Sequence, residues 1–301
     1  MNDARLNTIA VTTMLLATSG LVGSAQEESR VQTVVFDRAI QPGEVVRLDV
    51  TCDCEATGAT ATVFGQDVLL FHVGYADAWR GLIGIDLDIS PGTYPIAVVV
   101  DQVGQLPIAT TRELVVVTKR FPVRQLRVPA RFVNPPETVI ERIQDEAHRL
   151  QAIFETVTRP RQWQRPFQAP ARAPTTGSFG TRSVFNGQPR NPHSGVDFRG
   201  KTGAPVAAPA TGVVTAAESL YFTGNTLVID HGLGLYSLLA HLSKFAVQAG
   251  DRVRRGQIVG FVGATGRVTG PHLHWSVRLN GARVDPLSLL EATKESKETS
   301  E

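Results

Sequence analysis

The chain has 301 residues, 42% of them hydrophobic and 19% charged, which is the balance of a globular protein with room for two ordinary domains. Its 30 basic and 28 acidic side chains leave a formal net charge of +2, so composition gives no reason to expect nucleic acid or a membrane surface as partner. The only two cysteines, Cys52 and Cys54, exclude both a disulfide framework and a thiolate cage for a metal.

At the start, Arg5 precedes an apolar run from Thr8 to Val22, and small residues at Gly23 and Ala25 close it. The run is short and broken by Thr, Ser and Gly, so residues 1–25 are predicted to be a secretory signal cut near Ala25. An uncleaved anchor is the alternative. The absence of a cysteine after the site argues against a lipoprotein. A periplasmic or secreted location follows, without stable membrane insertion once the signal is removed. In that compartment Cys52 and Cys54 either bridge locally or stay reduced, and neither state is catalytic.

Residues 26–120 carry short β-branched runs separated by turn signals: Val31 to Phe36, Glu44 to Val50, Ala61 to Phe64, Asp67 to Phe71, Leu82 to Ile89, Tyr94 to Val100 and Glu113 to Val117. With Pro42-Gly43, Pro91-Gly92 and Val103-Gly104 as punctuation, they predict an antiparallel sandwich of immunoglobulin type. His72 stands alone there and reads as a packed or surface residue. Residues 121–174 are a connector. Asn134-Pro135-Pro136 with Glu137 opens a helix, and Val139, Ile143, Ala147, Leu150, Phe154 and Val157 form one apolar stripe. His148 reads as solvated. From Arg159 to Pro174 the chain is rich in Pro, Arg and Gln and is expected to lie over a surface as a linker. Residues 175–290 turn to many glycines and short strands, a compact and mostly antiparallel β domain. The charged end, 291–301, is expected to be disordered. The predicted chain is therefore mainly β.

The chemistry concentrates late. Of seven histidines, five follow residue 190: His193, His231, His241, His272 and His274. Asp197 lies four positions after His193, with Gly195 between them to let the loop curl. In the alternating stretch His272-Leu273-His274, residues i and i+2 project to the same face, so one imidazole can bind a metal while its neighbour addresses a substrate. Two histidines and one carboxylate fit the rule that catalytic zinc takes three protein ligands and leaves a position open. Surplus imidazoles can then orient water or stabilise an oxyanion. His231, at a strand-to-turn junction, reads as structural.

His193-x-x-x-Asp197, then Ala240-His241-Leu242-Ser243, then Gly270-Pro271-His272-Leu273-His274 closely resembles the lysostaphin and LytM type of zinc endopeptidase, built on the duplicated hybrid motif fold. The resemblance covers about residues 175 to 290. It extends to Phe179-Gly180-x-Arg182, Gly203-Ala204-Pro205-Val206-x-Ala208 and Val247-x-x-Gly250-Asp251-x-Val253-x-x-Gly256-Gln257. It implies one Zn2+ per chain held by His193, Asp197 and His274, with His241 and His272 activating water and stabilising the tetrahedral intermediate. It also implies peptide stems or cross-links of peptidoglycan as substrate. Some members have lost ligand residues and regulate other wall hydrolases instead, and here none of the five positions is substituted. If a regulator were the answer, Arg159 to Pro174 would be the candidate lid over the groove. The hairpins of Val253 to Gly266 also resemble biotinyl and lipoyl carriers, but Lys201 and Lys244 are not at a hairpin tip.

Overall fold

The computed structural model describes residues 30–74, 77–127 and 133–294. The predicted signal at 1–25 lies outside them, as does most of the charged end. No helix among the described residues is long and apolar enough to cross a membrane.

The N-terminal half builds two antiparallel four-stranded sheets. One runs in the order Val31–Phe36, Val45–Cys52, Ala78–Gly84, Phe71–His72, and the other Gln66–Val68, Ala56–Val63, Gly92–Gln102, Ile108–Val116. Alternation turns Val46, Leu48, Val50 and Ile83 of the first sheet toward Ile96, Val98, Val100 and Leu114 of the second, and all are buried. Several boundaries differ from the sequence expectation: the runs Ala61 to Phe64 and Glu113 to Val117 belong to the longer strands Ala56–Val63 and Ile108–Val116, and two others change more. The run Asp67 to Phe71 is split, because the chain passes there from one sheet to the other. The strand expected over Leu82 to Ile89 is Ala78–Gly84 instead. After it the chain turns, with Ile89 N–H bonded to the Asp86 carbonyl, and the Asp86 side chain leaves the sandwich to meet Arg283. Cys52 and Cys54 are joined in a local disulfide, which resolves the alternative left open above.

A short 3-10 turn, Glu137–Val139, leads into the helix Ile140–Glu155. Its stripe is less buried than its pattern suggests. Leu150, Ile153 and Phe154 pack on Val228, Tyr236 and Leu238, but Val157 lies beyond the helix and is 48% exposed. The residue of this helix that is buried is polar: Glu146 takes Arg142 Nε at 2.6 Å and the Tyr221 N–H at 2.7 Å.

The stretch from Arg159 to Pro174 corrects the expectation of a linker over a surface. Trp163 and Phe167 are buried in the main core, and Phe167 packs edge-on to His231 at 4.9 Å. Its backbone is tied in as well. Gln162 N–H bonds the His231 carbonyl, Gln168 N–H the Pro209 carbonyl, and the Pro170 and Pro174 carbonyls accept from Ala207 and Arg199. Composition hid this because two aromatic side chains anchor an otherwise polar and Pro-rich segment.

The C-terminal part is one ten-stranded sheet whose main path runs Thr175–Gly177, Gly195–Arg199, His272–Leu279, Leu235–Phe245, Gly224–Asp230, Gly212–Leu220, Arg252–Val253. Leu227, Ile229, Leu239, Leu273 and Trp275 fill its fully buried interior. The helix Pro286–Ala292 follows, capped by Asp285 accepting from Leu287 N–H. It carries Glu291 and Ala292, so the disorder expected from 291 onward starts too early; residues 295–301 lie outside the described residues. The sandwich docks on this end of the sheet. Val45, Leu82 and Leu87 join the main core, Arg38 bridges Glu44 and Asp285, and Arg283 forks onto Asp86.

Candidate metal centre

Three neighbouring strands bring the site residues together. Asp197 in Gly195–Arg199 pairs directly with His274 in His272–Leu279, and His274 pairs on its other side with Ala240, the residue before His241. Leu273 is buried on the core side, so His272 and His274 share the opposite face, as alternation requires. His193 comes from the loop before the first of these strands, held by backbone bonds between its N–H and the Thr181 carbonyl and between its carbonyl and the Gly180 N–H.

The donor atoms converge. His193 Nε2 and His274 Nδ1 lie 3.0 and 2.9 Å from Asp197 Oδ1, and 3.0 Å from each other. Tetrahedral ligands with bonds of ~2.1 Å would sit roughly 3.3–3.4 Å apart, so a small relaxation opens the triangle to zinc. Glycines make the approach possible. A Cβ on Gly177 would stand 2.2 Å from Asp197 Oδ2, and one on Gly195 would stand 2.6 Å from the His274 ring. Nitrogen and carboxylate donors in this number suit zinc and leave a coordination position open.

Backbone carbonyls set the tautomers. His193 Nδ1 faces the Ser178 carbonyl at 3.0 Å, which leaves the Nε2 lone pair for a cation. His241 Nδ1 faces the Thr265 carbonyl at 3.0 Å and His272 Nδ1 the Gly270 carbonyl at 2.9 Å, so each keeps its lone pair at Nε2. The His272 ring lies 4.7 Å from that of His241, and its Nε2 is 3.8 Å from Asp197 Oδ1. His241 holds a left-handed backbone, φ 62°, with its N–H bonded to the Thr223 carbonyl.

The charges follow the geometry. Burial works to raise the Asp197 carboxyl, but hydrogen bonds from His193 and His274 hold it well below the usual carboxylate range. Burial pulls His193 down, yet its bond to Asp197 lifts it above the ordinary value. Burial, with the charge of His193, lowers His274. Burial together with the neighbouring His274 and His272 pushes His241 down to about 3, so that ring stays neutral.

The remaining histidines stand apart. His231 is fully buried between the Thr211 carbonyl and Ser237 Oγ, matching its structural reading. His72 is exposed and packs edge-on to Trp79, and His148 is exposed. The site opens into a cleft of about 860 Å³. Its wall includes the strand Val123–Leu126, paired in parallel with Arg182–Phe185, together with Val133 and Pro135. The candidate lid Arg159 to Pro174 does not line it; that segment is committed to the core. The sequence carried no signal for the carbonyls of Ser178, Thr265 and Gly270, since any residue supplies one.

A family model, Peptidase family M23, matches residues 191–286. A solved structure of a putative peptidase M23 from Pseudomonas aeruginosa is 31% identical to this chain and covers 84% of it and 96% of that chain, with a TM-score of 0.66. The chain belongs to peptidase family M23. The likeness to that M23 structure spans the sandwich and connector as well as the metal centre, since it reaches well beyond residues 191–286. Among curated M23 relatives, the DD-carboxypeptidase/endopeptidase Mpg of Neisseria meningitidis is 47% identical over 103 residues, 34% of this chain and 24% of that protein. The peptidoglycan DD-endopeptidase ShyA of Vibrio cholerae is 43% identical over 96 residues, 32% of this chain and 22% of that protein. The match thus spans about a quarter of the length of those two relatives.

Proposed function

We propose that this chain is an exported zinc metalloendopeptidase that hydrolyses peptide bonds in peptidoglycan stems or cross-links. The observation that carries the reading is the convergence of His193, Asp197 and His274 beside two further imidazoles of fixed tautomer, at the floor of an open cleft. A relative named as a peptidoglycan DD-endopeptidase supports the substrate class. The division proposed with this reading is a signal at 1–25, a sandwich at 26–120, a connector at 121–174 whose part around Trp163 and Phe167 packs into the main core, and a peptidase domain at 175–290.

Zinc held by His193 Nε2, Asp197 Oδ1 and His274 Nδ1 would supply Lewis acidity that polarises the scissile carbonyl and acidifies water. The chain's own groups do the rest. His241 and His272 offer acceptor nitrogens that turn the lone pair of water toward the carbonyl carbon and take its proton as the C–O bond forms. Protonated there, an imidazole donates to the oxyanion and then to the amine as the C–N bond breaks, which returns both rings to their starting state. His241, neutral before the reaction, keeps its Nε2 lone pair ready to accept that proton. A noncatalytic wall-binding regulator is the other class considered, and no observation favours it.

The test is digestion of purified peptidoglycan by the mature protein, with and without chelator. Released peptides, whose masses together exceed that of their parent by one water per cut, should appear with zinc and vanish with chelator. Intact peptidoglycan at saturating zinc would remove the reading.

A further inference from the structure

The cleft is lopsided in charge. Arg124, Arg190 and Arg267 line it, while the single carboxylate among its described lining residues is Asp197, already turned to two imidazoles. Arg190 and Arg267 come from different segments that both border the reaction centre. Arg190 precedes His193 by three residues. Arg267 follows the left-handed Gly266 in the loop between Ile258–Val262 and His272–Leu279.

Both guanidiniums are held in place. Arg190 donates from Nη2 to Gln188 Oε1 at 3.0 Å, and its buried Nε has no hydrogen-bond partner. Arg267 lies 4.2 Å over the Phe222 ring, which fixes the plane of its fork. Both arginines line the same cleft, and burial first, then the charge of Arg190, lower the Arg267 pKa. A guanidinium fork matches a carboxylate in two-point contact, so a cleft wall with three arginines and one committed carboxylate suits an anionic group on the substrate. Cleavage of a neutral peptide bond by the metal centre requires neither arginine.

We infer that Arg190 and Arg267 form a carboxylate-reading subsite beside the reaction centre, so that the preferred substrate is an acidic peptide with a free carboxylate near the bond that is cut. This rests on the peptidase reading above and narrows its substrate. Neither arginine is a catalytic residue; they select and position the substrate.

The test uses the zinc-loaded mature protein and two forms of one substrate: cross-linked peptides purified from peptidoglycan, and the same peptides with carboxylates converted to carboxamides by carbodiimide coupling to ammonia. The readout is the acid-to-amide ratio of kcat/KM. Charge-assisted hydrogen bonds of this kind give a ratio of at least about tenfold for the unmutated protein. In R190Q/R267Q it falls toward one, mainly through KM for the acid form. In R190K/R267K part of it returns, because charge is kept while the fork is lost. Zinc content and melting temperature serve as the folding control. If the Gln variants fail to fold, the unmutated protein's ratio measured against salt replaces them, and it should shrink as ionic strength rises. Equal cleavage of both forms by the unmutated protein, a ratio indifferent to salt, or a ratio retained in folded R190Q/R267Q would overturn the subsite. Absence of cleavage of either form would instead remove the peptidase reading beneath it.

Discussion

His241 shows how much of the centre is decided by single backbone conformations. Held at φ 62°, it departs from the alternation of its strand at a backbone cost on the order of 1–3 kcal/mol, repaid by packing on both sides. The sequence placed His241 beside Ala240 and Leu242 but carried no sign of that turn, because no glycine, asparagine or aspartate stands within the run Leu235–Phe245. The candidate residues stood out because histidines are few, seven in the chain with five after residue 190, and because Asp197 lies four positions after His193. The carbonyls that fix their tautomers did not, for the reason that every residue has one. A different histidine gives the pH behaviour. Burial pushes His231 down to about 4 from its ordinary 6.5, with the Thr211 carbonyl opposing. The unfolded chain therefore takes up a proton below about pH 6.5 that the folded chain refuses until near 4. Stability is full above 6.5 and falls through that window by about 1.4 kcal/mol per pH unit. Denaturant unfolding at pH 7 and pH 5 should show the loss, and His231→Gln should flatten the slope; an unchanged slope in that variant would assign the effect elsewhere.

At the level of elements, the strands were readable where alternation met turn residues: Val31–Phe36 matched, and the run Tyr94 to Val100 lies inside the longer strand Gly92–Gln102. The failures have physical causes. The helix Ile140–Glu155 has an apolar stripe, yet its deepest contact is the Glu146 carboxylate capping the Tyr221 N–H, a pairing invisible in a hydrophobic pattern. Glu146→Ala should cost about 1–3 kcal/mol, the scale of leaving a buried donor unmet, as read from urea unfolding. The segment around Trp163 was misread because two buried aromatics outweigh many exposed polar neighbours. Trp163→Ala should cost about 3–5 kcal/mol by the same measurement, and a loss under 1 kcal/mol would return this stretch to the status of a loose linker.

The whole molecule joins its halves through a shared core rather than a flexible tether. Val45, Leu82 and Leu87 of the sandwich pack with the interior that holds Leu239 and Trp275, and Asp86 meets Arg283 at 2.6 Å across the junction. Calorimetry should therefore give one cooperative transition, with Asp86→Ala lowering it; two separate transitions would show that the sandwich folds on its own terms. The docking meets Leu279, Ala282 and Val284, at the far end of the strand that opens with His272 and His274. The measurement that bears most directly on the centre is calorimetric zinc titration of metal-free protein beside two variants. The unmutated chain and His241→Ala should each bind one equivalent, and His274→Ala should bind none with comparable affinity. Equal zinc binding by His274→Ala, or none by the unmutated chain, would contradict the assignment of His193, Asp197 and His274 as the ligands.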